Sequence, residues 1–409
     1  MKSVSRKLKE SPVFAHNHTG FSLYDITENK ILLEHNAERY FIPASNTKLF
    51  TYYASLKTLN DSIPAFHYQI SGDSLILWGT GDPSFLNPDL PKSKALDFLK
   101  NSPQKIYFSN DNFTGSYFGN GWSWDDYNDY YAAEISSFPI HGNIVRFTGN
   151  KENGLKITPN FFTEKTYNWS KSNTFYVQRD MAANLFSYPA GKTIKPNYEQ
   201  DVPFKTGVEV TTALLTDTLK KEVVFINKPL DKTAKIFYSL PSDTLYKRML
   251  YVSDNMIAEQ LMLLNSNALS GTLNTESGID SVIKKHLSDL PDVPKWVDGS
   301  GLSRQNLFTP RSIIALLKKI HEVVPEERLF KILPAAGQSG TLKNLLKTDK
   351  PFIFAKSGSL NNNYCLSGFL ITKKGKTLIF SMMNNNFVNS TSDIRKEVIK
   401  ILQEIHDNN

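Results

Sequence analysis

Strand-like alternation in this chain is concentrated at its two ends, and that placement constrains the fold more than any other feature. Near the start, residues 20–26 and 31–35 read as strands joined by a turn at 27–30. Near the other end, residues 352–356, 364–372 and 377–383 read as three more, the last two joined by a short turn containing Gly375. Beyond them, residues 393–405 place Ile394, Val398, Ile401, Leu402 and Ile405 on one side of a helix. Chain ends that both supply strands must meet, which predicts an α+β fold: one antiparallel sheet flanked by helices and closed by the two ends.

The middle has a different composition. From 65 to 204 it is rich in Asn, Gly, Ser and aromatics, with short strand-like runs at 74–78 and 105–108. We expect a β-rich module here, inserted into an outer domain of residues 1–64 and 205–409. Its ends must then lie close together. Its aromatics, Trp122, Trp124, Tyr127, Tyr130 and Tyr131, suit core packing more than contact with a sugar chain. Helical patterns resume at 208–221 and are strong at 245–264, as they are just after Pro43, where Leu49, Phe50, Tyr53, Ala54 and Leu56 form an apolar stripe.

With 409 residues, 40% of them hydrophobic and 21% charged, the chain is large enough for two or three domains. No apolar run approaches the ~18 residues that span a bilayer, and residues 1–11 show no secretory h-region. The single cysteine, Cys365, rules out an internal disulfide and reads as a small core residue. A net charge of +7 spread along the sequence argues against nucleic-acid binding, although it would steer an anionic polymer toward the surface. His16 and His18 mimic a metal pair but have no further ligand at metal-binding spacing, so we expect a flexible terminus and no metal or cofactor.

Three short motifs carry chemistry: Ser45-Asn-Thr-Lys48, Ser253-Asp-Asn255 and Lys356-Ser-Gly358. This order of S-x-x-K, S-D-N and K-T-G is the signature of penicillin-binding proteins and class A β-lactamases. Residues three apart share a helix face, so Lys48 can sit beside the Ser45 hydroxyl. Burial and a neighbouring cation can lower a lysine from its usual ~10.4, which lets Lys48 serve as the base that activates Ser45. Ser253 would pass the proton to the leaving amine, and Asn255 would hold a substrate amide. Lys356 and Ser357 would bind a terminal carboxylate. The backbone N–H groups of Ser45 and of Ser359, which follows Gly358, would stabilise the oxyanion.

Each short pattern also occurs elsewhere: Ser102 with Lys105, Ser281 with Lys284, and a true Lys205-Thr-Gly207. Only the Ser45, Ser253, Lys356 set has the required order on a helix, a helix and a strand. Asp125 and Asp126 read as structural residues, because serine chemistry needs no carboxylate pair. The segment Asp298-Gly-Ser-Gly-Leu-Ser303 is either part of the site or a structural turn.

The flanks of these motifs widen the match. Ile42-Pro-Ala-Ser-Asn-Thr-Lys48, Met249-Leu-Tyr-Val-Ser-Asp-Asn255, Asp298–Ser303, Ala355-Lys-Ser-Gly-Ser-Leu360 and Leu366-Ser-Gly368 resemble the DacB-type D-alanyl-D-alanine carboxypeptidases, the class C low-molecular-mass penicillin-binding proteins. So do Gly81-Asp-Pro-Ser84 and Gly121-Trp-Ser-Trp-Asp-Asp126. The resemblance implies a penicillin-binding-protein/serine β-lactamase-like transpeptidase domain carrying a module between its first two motifs. It also implies cleavage of peptidoglycan peptides ending in D-Ala-D-Ala, acylation by β-lactam antibiotics, a periplasmic location, and room for endopeptidase action on cross-links. Ser357 stands where that family usually has Thr, and it keeps the hydroxyl. A β-lactamase-like esterase or hydrolase and a non-catalytic peptidoglycan-binding relative remain as alternatives.

Overall fold

The computed structural model describes residues 1–150 and 154–408. They divide into two compact units, Met1–Thr58, Asp243–Ala258 and Ile279–Asn409 in the first, Leu59–Ser242 and Glu259–Gly278 in the second.

The first unit holds helix α1 (Lys2–Glu10), strands β1 (His18–Asp25) and β2 (Lys30–His35), helix α2 (Thr47–Thr58) and helix α3 (Ser242–Tyr251). It then takes in the start of α4 (Asn255–Ser270), helix α5 (Pro310–Val323), strands β3 (Ile353–Leu360), β4 (Asn363–Ile371) and β5 (Thr377–Asn385), and helix α6 (Thr391–Asn408). Its sheet runs β3-β4-β5-β1-β2, antiparallel throughout, so the two chain ends meet where β1 pairs with β5. Phe21 lies opposite Met382 and Leu23 opposite Phe380. Those side chains, with Leu366 and Leu370, form one apolar face, which packs with Val4 and Leu8 of α1 and with Ile394, Val398, Ile401, Leu402 and Ile405 of α6. Fully burying such a side chain contributes about 1.5–3 kcal/mol, which is what holds two polar terminal helices onto the sheet.

The N-terminus departs from the sequence expectation. Residues 2–10 form a helix, and Ser11 Oγ donates to Glu397 of α6 at 3.0 Å. His18 opens β1 with its ring stacked on Phe41, centroids 4.0 Å apart. The helical pattern at 245–264 is likewise two helices, because Ser253 takes left-handed backbone (φ +65°) and Asp254 caps the second through its carboxylate to the Ile257 N–H at 3.1 Å. Helix α2 has no one-sided stripe: every residue from Thr47 to Ser55 is buried. Such a helix belongs in the interior.

The second unit has a five-stranded mixed sheet and two three-stranded sheets. The expected strands at 74–78 and 105–108 are Ser74–Gly79 and Lys105–Ser109, parallel neighbours in the larger sheet. Strand Ser62–Ser71 pairs with Lys235–Pro241, and the Ser242 N–H donates to the Asp61 carbonyl at 2.9 Å, so this unit's flanking segments run side by side. That pairing extends the unit past the 65–204 span to Ser242, and Glu259–Gly278 joins it as well. Its core includes Phe66, Leu77, Phe108, Phe147 and Phe162. Tyr127 packs under Arg179, whereas Trp124 (73% exposed) and Tyr130 (66% exposed) lie outside the core.

Candidate active site

All three motifs lie in the first unit. Residues 44–46 form one 3₁₀ turn that leads into α2, and Ala44 adopts φ +47°, a conformation unusual for a residue with a Cβ. The turn lifts Ser45 into partial exposure while Pro43, Ala44, Asn46 and Thr47 are buried. Asn46 anchors it from beneath, donating from Nδ2 to the Lys356 carbonyl at 3.1 Å. One turn on, Lys48 is fully buried. Its Nζ donates to Ser45 Oγ at 3.0 Å, to Asn255 Oδ1 at 2.7 Å and to the Ser300 carbonyl at 2.7 Å.

That last contact brings in a segment the sequence left undecided. Asp298 is buried, and its carboxylate accepts from the N–H groups of Gly301 (2.8 Å) and Ser303 (2.7 Å) and from Asn306 Nδ2 (2.8 Å). Thr51 of α2 donates to the Gly299 carbonyl at 2.6 Å. Residues 298–303 are therefore a clamped loop that aims a carbonyl at Lys48. The legible signal was an acid followed by Gly, Ser and Gly, a turn whose carboxylate can collect backbone N–H groups.

Lys356 is also fully buried and donates to Ser253 Oγ at 2.9 Å and to the Ser357 carbonyl at 2.5 Å. Burial first, and then the nearby Lys48 charge, hold it well below the usual lysine range. β3 is the sheet edge. The Ala355 N–H already points off that edge to the Pro334 carbonyl (3.1 Å), so by strand periodicity the N–H groups of Ser357 and Ser359 face the same way. Gly358 permits the closest approach: a Cβ there would meet Pro43 O at 2.6 Å and Ser45 N at 2.8 Å. Ser357 Oγ donates to Thr341 Oγ1 at 2.9 Å, a partner that no motif predicted.

The remaining sequence candidates make other contacts. Ser102 caps helix Ala95–Asn101, Ser281 lies within helix Thr275–His286, and Thr206 binds Glu134. Asp126 accepts from Tyr131 Oη at 3.0 Å, a structural contact. Cys365 is buried in β4, its thiol pushed up to about 12 by burial. Among the described residues no group of three or more His, Cys, Asp or Glu could hold a metal, and no helix is long and apolar enough to cross a membrane.

A serine hydroxyl, two buried lysine amines, a second serine and an open strand edge are the parts of a nucleophilic acyl-transfer site. Known proteins agree with that chemistry. The chain is 23% identical to D-alanyl-D-alanine carboxypeptidase DacB of Haemophilus influenzae, over 97% of this chain and 90% of that protein. It is 26% identical to a D-alanyl-D-alanine carboxypeptidase of Actinomadura, over 92% of this chain and 79% of that one. Its fold matches the crystal structure of penicillin binding protein 4 (dacB) from H. influenzae with a TM-score of 0.76 at 20% identity, covering 99% of this chain and 98% of the other. That protein has also been solved with a β-lactam, at a TM-score of 0.70 over the same share of each chain and the same identity. A predatory peptidoglycan endopeptidase of Bdellovibrio bacteriovorus matches at 0.54 and 15% identity, over 95% of this chain and 93% of its own. Residues 1–182 and 200–407 match the D-Ala-D-Ala carboxypeptidase 3 (S13) family, so the chain belongs to that family and is a serine-type D-Ala-D-Ala carboxypeptidase.

Proposed function

We propose that Ser45 is the nucleophile, acting on peptidoglycan stem peptides that end in D-Ala-D-Ala. Ser45 Oγ attacks the carbonyl of the penultimate residue while its proton passes to the Lys48 amine at 3.0 Å. The oxyanion is held by the N–H groups of Ser45 and Ser359, and Asn255 orients a substrate amide. Ser253 gives its proton to the departing D-alanine nitrogen, and Lys48 makes good that loss. The C–N bond breaks and leaves an ester on Ser45, which water hydrolyses to regenerate the hydroxyl. The terminal carboxylate sits against Lys356 and Ser357. There it supplies the counter-charge that neutral partners, Ser253 Oγ and the Ser357 carbonyl, do not. The observation that carries this reading is Lys48, buried and bonded at once to Ser45, Asn255 and the Ser300 carbonyl. All the proposed groups come from the first unit, so we assign the second an accessory role.

The same steps with a strained lactam amide give a covalent penicilloyl-Ser45. Peptidoglycan as substrate places the enzyme's work outside the cytoplasm, in a periplasm. Cross-linked peptides are a second substrate class of the same chemistry. Incubation with a fluorescent penicillin followed by mass mapping should put the adduct on Ser45, and Ser45→Ala should lower turnover by at least ~10³-fold. An adduct on another residue would overturn the assignment, as would no adduct on folded protein.

A further inference from the structure

Beside Ser357 lies a cavity of about 450 Å³ that the mechanism above, apart from Ser357 itself, leaves unused. Its lining takes in Thr341, Lys343, Ser357, Tyr364, Arg395 and Lys396. Three of these are cations drawn from two separate segments, the loop after Gly340 and the start of α6. Among the described residues Lys343 and Arg395 make no ion pair with a carboxylate. Lys396 has only a long one, 3.8 Å to Asp393. Arg395 is held in place, its guanidinium over the buried Tyr364 ring (5.2 Å) and within 3.4 Å of Ser359 Oγ. Like charges gathered around a cavity without matching acids repel one another, and an anion entering it relieves that repulsion.

The position says which part of a substrate this anion belongs to. Ser357 takes the carboxylate of the leaving residue, so a cavity that includes Ser357 but neither Ser45 nor Ser253 adjoins the leaving side of the scissile bond. Resting on the reaction proposed for Ser45, we propose that this cavity is a leaving-side anion subsite, selecting substrates whose departing residue carries a second carboxylate. A lone D-alanine has no group to place there. A leaving residue with a free side-chain carboxylate, such as D-glutamate, has one. The subsite would thus favour cleavage of acidic leaving groups over release of D-alanine.

The test uses three synthetic peptides with one acyl part, ending in D-Ala–D-Ala, D-Ala–D-Glu or D-Ala–D-Gln, with β-lactam acylation of Ser45 as a separate arm. The D-Glu peptide should exceed the isosteric D-Gln peptide in kcat/KM by about tenfold, the size expected for one charge-assisted contact. The excess should shrink as salt rises toward 1 M. The double variant Lys343→Gln/Lys396→Gln removes two exposed cations and keeps Arg395, which supports Tyr364. It should bring the D-Glu to D-Gln ratio close to one while D-Ala–D-Ala turnover and acylation stay within about twofold. Lys343→Gln alone, in an exposed loop, should move the ratio part of the way. Equal rates for D-Glu and D-Gln in the parent enzyme would overturn the subsite, as would a ratio that both variants leave unchanged. Absence of any Ser45 adduct would overturn the underlying reaction instead, and the subsite with it.

Discussion

The chain contains two near-identical tripeptides, Lys205-Thr-Gly207 in the second unit and Lys356-Ser-Gly358 in the first, and they do unrelated work. Lys356 is fully buried and reaches Ser253, whereas Lys205 is half-buried, with its backbone N–H and carbonyl both bonded to the Asn184 side chain (2.7 and 2.9 Å). Thr206 gives its N–H and its hydroxyl to the buried Glu134 (2.7 and 2.9 Å). Ser357 instead keeps its hydroxyl on the rim of a cavity, bonded to Thr341. The third positions differ most. A Cβ on Gly358 would run into the turn bearing Ser45, while one on Gly207 would meet nothing within 4 Å. The tripeptide has no chemistry of its own. In the reading proposed above it acquires one when a strand edge places it against a serine-bearing turn.

The largest effect that sharpens this contrast comes from the glycines. Gly358→Ala should lower β-lactam acylation by about 10³-fold, because the methyl group must displace Pro43 O and Ser45 N, and a nucleophile displaced by ~1 Å loses at least 10² in rate. Gly207→Ala has space, but Gly207 lies at φ +144°, which L residues rarely adopt. It should cost about 1–2 kcal/mol of stability and leave the acylation rate of the folded protein unchanged. Stopped-flow acylation and urea melts on both variants separate the two outcomes. Loss of acylation in folded Gly207→Ala would break the contrast.

The hydroxyls should differ next. Ser357→Ala removes the hydroxyl proposed to donate to the substrate carboxylate and should reduce kcat/KM on D-Ala-D-Ala peptides by about 10–10²-fold with little change in melting. Thr206→Ala should do the reverse. It deprives a buried carboxylate of a 2.9 Å bond, costs about 2 kcal/mol, and leaves kcat/KM alone. Steady-state kinetics beside thermal melts decide it; matching profiles for the two variants would mean that Ser357 is structural.

Why the two tripeptides could be told apart in sequence, and what could not, follows from what each signal encodes. Alternation and turn residues encode local geometry, so the five strands of the first unit, the 373–376 hairpin and α6 were legible to within a few residues. Motif order carried the pairing of Ser45 with Lys48, which is local. Ser253 was legible as a residue, but its placement on a continuous helix was not correct. A left-handed residue between two helices leaves the apolar period on either side almost unbroken. Thr341 and the Ser300 carbonyl were illegible for another reason: one is a lone polar residue in a loop, the other a backbone atom, and only tertiary folding brings them to Ser357 and Lys48. The second unit's extent was hidden because its closing strand, Lys235–Pro241, pairs with a partner far away in sequence.

The remaining predicted effect lies in the lysines, and it runs against the usual direction for removing a buried hydrogen-bonded group. Lys356 is held well below its ordinary 10.5 by burial and by Lys48. Below that depressed value both the folded and the unfolded chain carry the proton, and the fold bears the full cost of a buried cation. Between it and 10.5 the unfolded chain still binds a proton that the folded chain has released, so stability rises with pH across that window. Above 10.5 both states are neutral and the cost is gone. Lys356→Met removes this dependence at the price of the bonds to Ser253 and Ser357. The stability of the variant minus that of the parent should therefore be greatest at the acid end of the neutral range and decline toward pH 10, by about 1.4 kcal/mol for each pKa unit of depression. Acylation should be lost throughout, whereas Lys205→Met should retain it. Urea melts from pH 6 to 10 measure the difference. A pH-independent gap between Lys356→Met and the parent would show that the buried lysine keeps its proton in the folded chain as it does in the unfolded one, and that the site spends no stability on holding a cation ready for the substrate carboxylate.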